Sequence, residues 1–324
     1  MKMVVNIPTI GRNRRKRLLN EPLIKFVLKI LMFSILVLIP FKLFDIITAK
    51  YNILKLSNSV CFNVKIHKVK QLPRKHLDFI AIGSSMSLNN LNSQTFTEQL
   101  NDTNFYNFSS WGASEANTLQ LTKLLIPIFT PHVVIQVSHL GDFYNSGFKI
   151  NNILLSYTLQ GLPSFIIKPF CINTTDDYKT YINDTLRITN MKFDKYGGVE
   201  LNVKGKYIEQ RRWIQQSNYT FNQNNKNYQA LEELSQYLFE NNITLIFVQA
   251  PSRKNHYGNN TEQINLHIEE CKRIISKYRH IYINATDTAK FTDECFADHS
   301  HMNKNGAVIL TKEITNKIKQ EIQF

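Results

Sequence analysis

Short apolar segments alternate with longer segments of helical periodicity over most of this chain. Five apolar runs predict β-strands: Leu77–Ile82, Phe105–Phe108, His132–Val137, Ile243–Val248 and His280–Ile283. Between the second and third runs, apolar residues recur at i, i+3, i+4 and i+7 from Leu121 to Ile128, which indicates a helix that Pro131 stops. Strands that are apolar along their whole length and alternate with helices favour a parallel sheet covered on both faces. The pattern therefore predicts a flavodoxin-like three-layer α/β/α fold with about five parallel strands, which binds ligands at the carboxyl ends of the strands.

A different pattern occupies the N-terminal region. The segment Phe26–Phe41 is almost entirely apolar, and its continuous apolar core from Ile30 to Phe41 is preceded by Lys29 and followed by Lys42. A membrane span needs roughly 20 residues, so the segment must use its flanks, and the lysine side chains can reach the two interfaces. The basic run Arg12–Arg17 precedes the segment, and positive charge stays on the cytoplasmic side. We expect an uncleaved signal anchor in the cell membrane, with the rest of the chain extracytoplasmic.

The alternative for this segment is a cleaved signal peptide, for which Ile47-Thr48-Ala49 is a poor cleavage site. With the anchor, the predicted organisation has four parts: a basic cytoplasmic segment at 1–25, a transmembrane signal anchor at 26–47, a linker at 48–76 and a catalytic domain at 77–324. The alternative interpretation of residues 48–76 is an initial element that packs on the domain. An aromatic and Asn-rich insertion at about 141–227 is too long to be structureless, and we expect it to fold over the active face or to be a peripheral decoration.

Charge and cysteine content narrow the classes of function. The formal net charge is +14, but residues 1–25 alone hold seven basic side chains against Glu21, and no arginine cluster interleaved with aromatic residues follows. Nucleic-acid binding requires concentrated positive charge, so we exclude it. The four cysteines, Cys61, Cys171, Cys271 and Cys295, have no zinc-ligand spacing, and outside the cytoplasm they would allow one or two disulfides in any of three pairings.

Candidate chemistry begins directly after the first predicted strand. Gly83-Ser84-Ser85 would form a tight turn that exposes the Ser85 hydroxyl at the ligand-binding edge. Alone this signal is weak, since serines after strands commonly cap helices. A second signal lies near the C-terminus, where Asp298 precedes His301 by three residues on one turn before the final helix. A histidine can take the proton from a serine hydroxyl, and a carboxylate orients that histidine. The two signals together predict a catalytic triad.

With these motifs the chain resembles the SGNH (GDSL-like) hydrolase superfamily. Within that superfamily it resembles a subset of membrane-anchored members that act on polysaccharides. Gly83-Ser84-Ser85 resembles the first block of the family, with Ser in place of Asp, and the segment Asn107–Gly112 resembles the second. Asp298-x-x-His301 resembles the fifth block. The resemblance implies that Ser85 is the nucleophile, His301 the base and Asp298 its partner. It also implies that the backbone N–H groups of Ser85 and Gly112 form the oxyanion hole.

The third block of the family, G-x-N-D, is where this sequence departs. The segment Ser138–Asp142 places Gly141 where the oxyanion-hole Asn should be, so Asn145 or another side chain supplies that donor, or the hole has two donors. One missing donor can cost on the order of 10²–10³ in rate. His139 and Asp142 are expected to shape a loop beneath the insertion, and the spacing of His299 from Asp298 does not match the family pattern. No nucleotide or metal motif is present, so we expect neither a cofactor nor a metal.

The resemblance implies a membrane-anchored O-acyltransferase, with acetyl as the expected group, that acts on envelope or exported polysaccharide through a Ser85 acyl-enzyme. A membrane acyltransferase would deliver the acyl donor, a glycan would be the acceptor, and Trp213 and Tyr219 would stack on its sugars. An extracytoplasmic esterase or deacetylase would share every residue named. Two further functions stay open at this point: a lipid-directed esterase, which needs an apolar acyl groove, and a non-catalytic polysaccharide-binding or scaffold protein, which the missing Asn favours.

Overall fold

The computed structural model describes residues 22–51, 56–69, 72, 76–152, 155, 192–203, 207–216, 218–253, 256, 260–286 and 289–322. The chain divides into two compact units. The first contains helix α1, Pro22–Tyr51, and the second contains all the other helices and strands given below.

Helix α1 includes a 23-residue apolar stretch, Pro22–Phe44. The most apolar part of this stretch has a mean hydropathy of 2.4, and its side chains do not pack against the rest of the protein. In the described part of the chain it is the one helix long and apolar enough to cross a membrane. An apolar helix therefore lies where the sequence predicts one. The direction in which it would cross, and its retention as an anchor, stay predictions.

The second unit is built on one sheet of five parallel strands in the order β2-β1-β3-β4-β5. The strands are β1 Phe79–Ala81, β2 Phe105–Asn107, β3 Val133–Ser138, β4 Thr244–Gln249 and β5 Ile281–Asn284. Each overlaps one predicted strand, so the predicted fold class is confirmed. The chain leaves β1 towards β2 and returns to form β3 on the other side of β1. In this order the carboxyl ends of β1 and β3 border the crevice where ligands bind.

Helices cover both faces of the sheet. They are α2 Val60–Val69, α3 Ser85–Asn90, α4 Ser93–Leu100, α5 Glu115–Phe129, α6 Gln210–Ile214, α7 Lys226–Glu240, α8 Thr261–Lys277 and α9 Lys304–Glu321. Helices α5, α7 and α8 form one layer, and α3, α4 and α9 form the other. Strand residues such as Ile80 and Val134 are fully buried because both faces of the sheet are covered.

Helix α2 lies inside the region predicted as a linker, yet it packs as part of the second unit. Phe62 and Ile66 on this helix are buried, and the Phe62 ring centroid is 5.2 Å from that of Phe148. The side chain of Lys65 is also buried, and its Nζ donates to the carbonyl oxygens of Asn107, at 2.9 Å, and Ser109. Helix α2 thus supports the segment that follows β2.

The described parts of the insertion also join this unit. The N–H of Asn107 donates to the Tyr196 carbonyl at 2.7 Å, and the N–H of Ile208 donates to the Ala297 carbonyl at 2.8 Å. Residues 156–191 of the insertion lie outside the described residues. Cys61, Cys271 and Cys295 are buried free thiols, while Cys171 lies outside the described residues.

Candidate active site

The turn after β1 positions the candidate nucleophile. Ser84 caps helix α3, because its Oγ accepts a hydrogen bond from the N–H of Met86 at 3.0 Å. Gly83 has φ +146°, and a Cβ there would come within 2.6 Å of the Ser87 Oγ, which is bonded to β3 through the Val137 N–H at 2.7 Å. Only a glycine fits this turn. Since Ser84 serves as the cap, the hydroxyl of Ser85 remains available for chemistry.

His301 and Asp298 complete a hydrogen-bonded relay with Ser85. The Nε2 of His301 is 2.8 Å from the Ser85 Oγ, and its Nδ1 is 2.9 Å from Oδ2 and 3.0 Å from Oδ1 of Asp298. The tautomer with a proton on Nδ1 donates to the carboxylate and leaves the Nε2 lone pair facing the serine hydroxyl. This arrangement suits removal of the Ser85 proton.

The turn that carries Asp298 also holds it as a carboxylate. Oδ1 of Asp298 accepts the N–H groups of Ser300, at 3.0 Å, and His301, at 2.7 Å. Burial favours the neutral acid and would raise the pKa of Asp298, but the hydrogen bonds and charge of His301 and the bond from Ser300 outweigh it, so the pKa is lowered. The Met302 N–H donates to the Asn90 Oδ1 at 2.9 Å and ties this turn to helix α3.

The two candidate oxyanion donors are available for a substrate. Ser85 and Gly112 both line the pocket, and within the described part of the chain neither backbone N–H has a hydrogen-bond acceptor. Gly112 has φ +73°, a left-handed conformation that favours glycine. The Lys65 Nζ and the Asn107 side chain, whose Oδ1 accepts the Ser109 N–H at 3.0 Å, hold the segment leading to Gly112.

The segment Ser138–Asp142, where the sequence departs from the third block of the family, lies beneath the turn that carries Ser85. Asp142 Oδ2 accepts from the Ser138 Oγ at 3.0 Å and from the His139 N–H at 3.2 Å, and its carboxyl also bonds the side chain of Ser84. Burial raises the pKa of Asp142 to about 6 and, with the nearby charges of His301 and His299, lowers the pKa of His139 to about 3. His139 and Asp142 thus support the nucleophile turn from beneath.

The pocket has a volume of about 750 Å³ and opens over the serine. It is lined by Ser59, Val60, Cys61, Ser85, Asn89, Trp111, Gly112, Leu201, Ile208, Glu209, Arg212 and His301. Trp111 is 36% exposed, and its Nε1 donates to the Asn89 Oδ1 at 3.0 Å, which fixes the indole beside Gly112. The wall thus includes parts of α2, the second-block segment and the insertion.

Trp213 and Tyr219, which were predicted to stack on sugars, are not among the residues that line this pocket, and neither is Asn145, which was predicted as an oxyanion donor. Trp213 is 7% exposed, and the Arg253 guanidinium lies 3.4 Å from its ring centroid, so its indole packs in the core. Tyr219 stacks on Tyr144 with ring centroids 4.9 Å apart. The Asn145 Nδ2 donates to the Ala113 carbonyl at 3.4 Å, so this amide is already engaged. Trp111 is the tryptophan that the structure places at the pocket.

Arg212 is a site residue that the sequence analysis did not identify. Its Nη2 lies against Oδ2 of Asp298 and 3.4 Å from the His301 Nδ1, and its side chain is 39% exposed. Its backbone carbonyl accepts from the His299 Nδ1 at 2.8 Å, which gives His299 a structural position rather than that of the base. Arg212 lies in the insertion, far from the motifs in sequence, and no local pattern marked it.

Comparison with known proteins gives no match to a protein-family model and no match to a curated protein. Solved structures that match include a GDSL-like lipase from Bacteroides thetaiotaomicron, TesA and an acetylxylan esterase from Geobacillus stearothermophilus. Their identities to this chain are 10%, 11% and 9%, and their TM-scores are 0.42, 0.43 and 0.39. The matches cover 81%, 75% and 77% of this chain and 98%, 99% and 98% of theirs. All three TM-scores lie below 0.5, so the roles of Ser85, His301 and Asp298 depend on the distances within this chain.

Proposed function

We propose that this chain is a serine-dependent enzyme of the SGNH type that cleaves and transfers ester-linked acyl groups. The observation that carries the proposal is the unbroken relay from Asp298 through His301 to Ser85, with the serine at the floor of a pocket. A hydroxyl, an imidazole and a buried carboxylate in this order form the arrangement used for nucleophilic acyl transfer. The predicted non-catalytic role would leave this geometry without a purpose.

The proposed reaction has two halves. The Ser85 Oγ attacks the carbonyl carbon of an ester while the His301 Nε2 takes the serine proton, and the N–H groups of Ser85 and Gly112 bind the developing oxyanion. The C–O bond to the leaving alcohol then breaks, the alcohol receives the proton from His301, and the acyl group stays on Ser85. In the second half an acceptor hydroxyl gives its proton to His301 and attacks the acyl carbon. The bond from that carbon to the Ser85 Oγ then breaks, and His301 returns the proton to the Ser85 Oγ.

The finer proposal is that the acceptor is a sugar hydroxyl of a polysaccharide and that the acyl group is acetyl. Trp111 supports it, because an exposed indole at the pocket offers a flat apolar face for a sugar ring, and Glu209 and Arg212 add hydrogen-bonding groups nearby. The apolar helix α1 supports a position beside a membrane-bound acyl source. Hydrolysis by an extracytoplasmic esterase uses the same residues with water as the acceptor.

The first experiment is labelling of the full-length chain in detergent with a fluorophosphonate probe. We expect the wild type to be labelled, and the Ser85→Ala and His301→Ala variants to lose labelling. Ser59→Ala is the matched control, since Ser59 is another serine at the pocket that lies outside the relay. Absence of labelling in a folded wild type, or labelling that survives Ser85→Ala, would remove the catalytic proposal in favour of the binding or scaffold role.

A second experiment separates transfer from hydrolysis. With p-nitrophenyl acetate as the donor and a neutral oligosaccharide as the acceptor, mass spectrometry would detect the acetylated sugar. Trp111→Ala should lower sugar acetylation relative to acetate release, whereas Phe239→Ala, at an exposed aromatic residue on α7, should leave the ratio unchanged. Acetate release without any acetylated sugar would favour the esterase.

A further inference from the structure

Two histidines and an aspartate converge at the amino-terminal edge of the sheet, the edge opposite Ser85. His76 and Asp78 precede β1, and His132 precedes β3, the strand paired beside it. The His76 Nε2 is 3.0 Å from Asp78 Oδ1, and the His132 Nε2 is 3.9 Å from the same oxygen. The three ligand atoms all lie within 4.8 Å of one another. None of these residues takes part in the relay or lines the pocket above it.

These separations fit one small divalent cation. Zinc binds imidazole nitrogen at about 2.0–2.1 Å and carboxylate oxygen at about 2.0–2.2 Å, so two ligand atoms on a tetrahedral ion lie about 3.4 Å apart. The distances of 3.0 and 3.9 Å lie on either side of that value. The third separation, between the two imidazole nitrogens, is within 4.8 Å. Both rings are exposed, and we expect them to rotate towards a bound ion.

Neighbouring side chains already orient the ligand atoms. The Asn104 Nδ2 donates to Asp78 Oδ2 at 2.7 Å, which turns Oδ1 towards the imidazole rings. The His76 Nδ1 pairs with the Thr130 Oγ1 at 2.8 Å, which leaves Nε2 as the inward nitrogen. Partners of this kind fix the ring orientation of metal-binding histidines. Thr130 has φ 42°, a conformation rare for a β-branched residue, and from this position its hydroxyl reaches His76.

The backbone holds the three residues together as well. The Asp78 carbonyl accepts hydrogen bonds from the N–H groups of His132, at 3.0 Å, and Val133, at 3.1 Å. The Leu77 N–H donates to the Phe129 carbonyl at 3.0 Å, which ties the segment before β1 to the end of α5. The candidate ligands therefore lie on backbone segments that the sheet already holds in place. Binding of a cation would require little further ordering of the backbone.

We propose that His76, Asp78 and His132 form a binding site for Zn²⁺, with the His76 Nε2, Asp78 Oδ1 and His132 Nε2 as ligands and water completing the tetrahedron. Two neutral imidazoles and a carboxylate are ligands that zinc accepts readily. The His76 and His132 side chains are 47% and 69% exposed, so the ion exchanges with solvent. The site lies at the opposite edge from Ser85 and serves to fasten the start of β1 to the start of β3.

The test is a calorimetric titration of the full-length chain in detergent with Zn²⁺ alone. We expect one micromolar site in the wild type and at least tenfold weaker binding in His132→Gln and Asp78→Asn. Two control variants should bind as the wild type does. Glu98→Gln removes an exposed carboxylate on α4, and His299→Gln removes the ring that packs against His256 with centroids 4.4 Å apart. No binding by the wild type, or a site lost only in His299→Gln, would overturn the proposal.

Thermal unfolding provides a second reading that does not depend on activity. A ligand that binds only the folded state raises the melting temperature, so Zn²⁺ should raise it by a few degrees in the wild type and not in His132→Gln. His132 is largely exposed, so this variant should fold. Asn104→Ala should weaken zinc binding about tenfold, because it frees the Asp78 carboxylate to turn. An equal zinc-dependent rise in His132→Gln and wild type would contradict the site.

Discussion

The carboxylate of Asp298 is fully buried, and besides two backbone N–H groups it is bonded by two different kinds of side chain. The His301 imidazole bonds it through Nδ1, and the Arg212 guanidinium lies against Oδ2. A buried carboxylate is costly unless it is paired, and a positive guanidinium also keeps it ionised. Arg212 therefore acts through Asp298 on the orientation of His301, and we regard it as a positioning residue.

Replacement of Arg212 by glutamine should reduce the rate of fluorophosphonate labelling and of ester hydrolysis about tenfold. The reason is the loss of a charge-assisted hydrogen bond, which contributes about 1.5–3 kcal/mol, to the residue that orients the base. Initial rates over a range of pH would measure the effect. Arg211→Gln is the matched control, since Arg211 is the exposed neighbour on α6, and its rate should stay within twofold of the wild type.

The result should also separate positioning from simple packing. Arg212→Lys keeps the positive charge and should recover part of the lost rate, which a purely structural role of the side chain would not predict. Equal rates in Arg212→Gln and the wild type, or a faster variant, would show that the contact with Asp298 does not assist the relay.

Among the secondary-structure elements, helix α2 supports the side of the pocket where Gly112, a candidate oxyanion donor, lies. Ser59, Val60 and Cys61, at its amino-terminal end, line the pocket, and Lys65 bonds the carbonyls that follow β2. The helix precedes the first strand of the alternating strand and helix pattern, but it belongs to the second compact unit. The hydrogen bonds from the buried Lys65 hold the backbone of the segment from Asn107 to Gly112 in position.

Lys65→Met should destabilise the domain by about 2–3 kcal/mol, because two buried carbonyl oxygens lose a charged donor while the apolar stem is kept. Denaturant unfolding monitored by circular dichroism would measure this change. The labelling rate should fall as well, since the segment that carries Gly112 loses its support. Lys149→Met, at an exposed lysine, is the control and should change the stability by less than about 0.5 kcal/mol. A Lys65→Met variant as stable as the control would contradict this role.

At the scale of the whole molecule, two buried carboxyls link stability to pH. Glu115 accepts from the Gln136 Nε2 at 2.6 Å, and its Oε1 lies 3.1 Å from the Ser138 Oγ, which donates to Asp142 at 3.0 Å. One hydroxyl has one proton to donate, so it cannot serve two carboxylates at once. Burial raises the pKa of Glu115 to about 8, and Glu115 therefore holds a proton in the folded domain at neutral pH.

Because the folded pKa of Glu115 lies above its unfolded value, its contribution to stability is complete below about pH 4.5 and is lost as the pH rises through about 8. Glu115→Gln should remove this loss, so the stability of the variant relative to the wild type should increase between about pH 6.5 and 8.5. The buried His139, His256 and His267 have pKa values that burial lowers, but both proteins contain them, so their effect cancels in the difference between the variant and the wild type.

Thermal unfolding at several pH values would test this linkage. Glu98→Gln is the control, since this carboxylate is exposed on α4, and it should keep the pH dependence of the wild type. A difference between Glu115→Gln and the wild type that stays constant from about pH 6.5 to 8.5 would mean that Glu115 is ionised in the folded domain.

The orientation in the membrane is a prediction for the entire chain. The basic segment before α1 predicts a cytoplasmic N-terminus, so a reporter fused after Phe324 should be active on the outer side of the membrane. Paired fusions of alkaline phosphatase and green fluorescent protein would measure this. Replacement of Arg12 and Arg14–Arg17 by glutamine should weaken the preference. A wild-type fusion that is active only in the cytoplasm would reverse the predicted topology.

Local sequence was sufficient to predict the features that depend on neighbouring residues. Apolar runs and helical periods reflect burial of successive positions, so they predicted the five strands, the final helix and the apolar helix α1. Strand ends moved by one to two residues, because hydrogen-bond pairing rather than hydrophobicity sets them. The Asp298–His301 contact was also predictable, since three residues along one turn bring these side chains together.

Contacts between side chains that are far apart in sequence became visible only in the folded domain. Arg212 reaches Asp298 across 86 positions, and Lys65 reaches the carbonyl of Ser109 across 44. The structure shows that Trp111 faces the pocket, whereas Trp213 is buried beside Arg253. The sequence could not distinguish the two tryptophans, because their positions depend on how the insertion packs against the rest of the domain. Local sequence patterns predict the periodicity of helices and strands and the position of turns. The partner of a side chain across the sheet depends instead on how all the layers pack together.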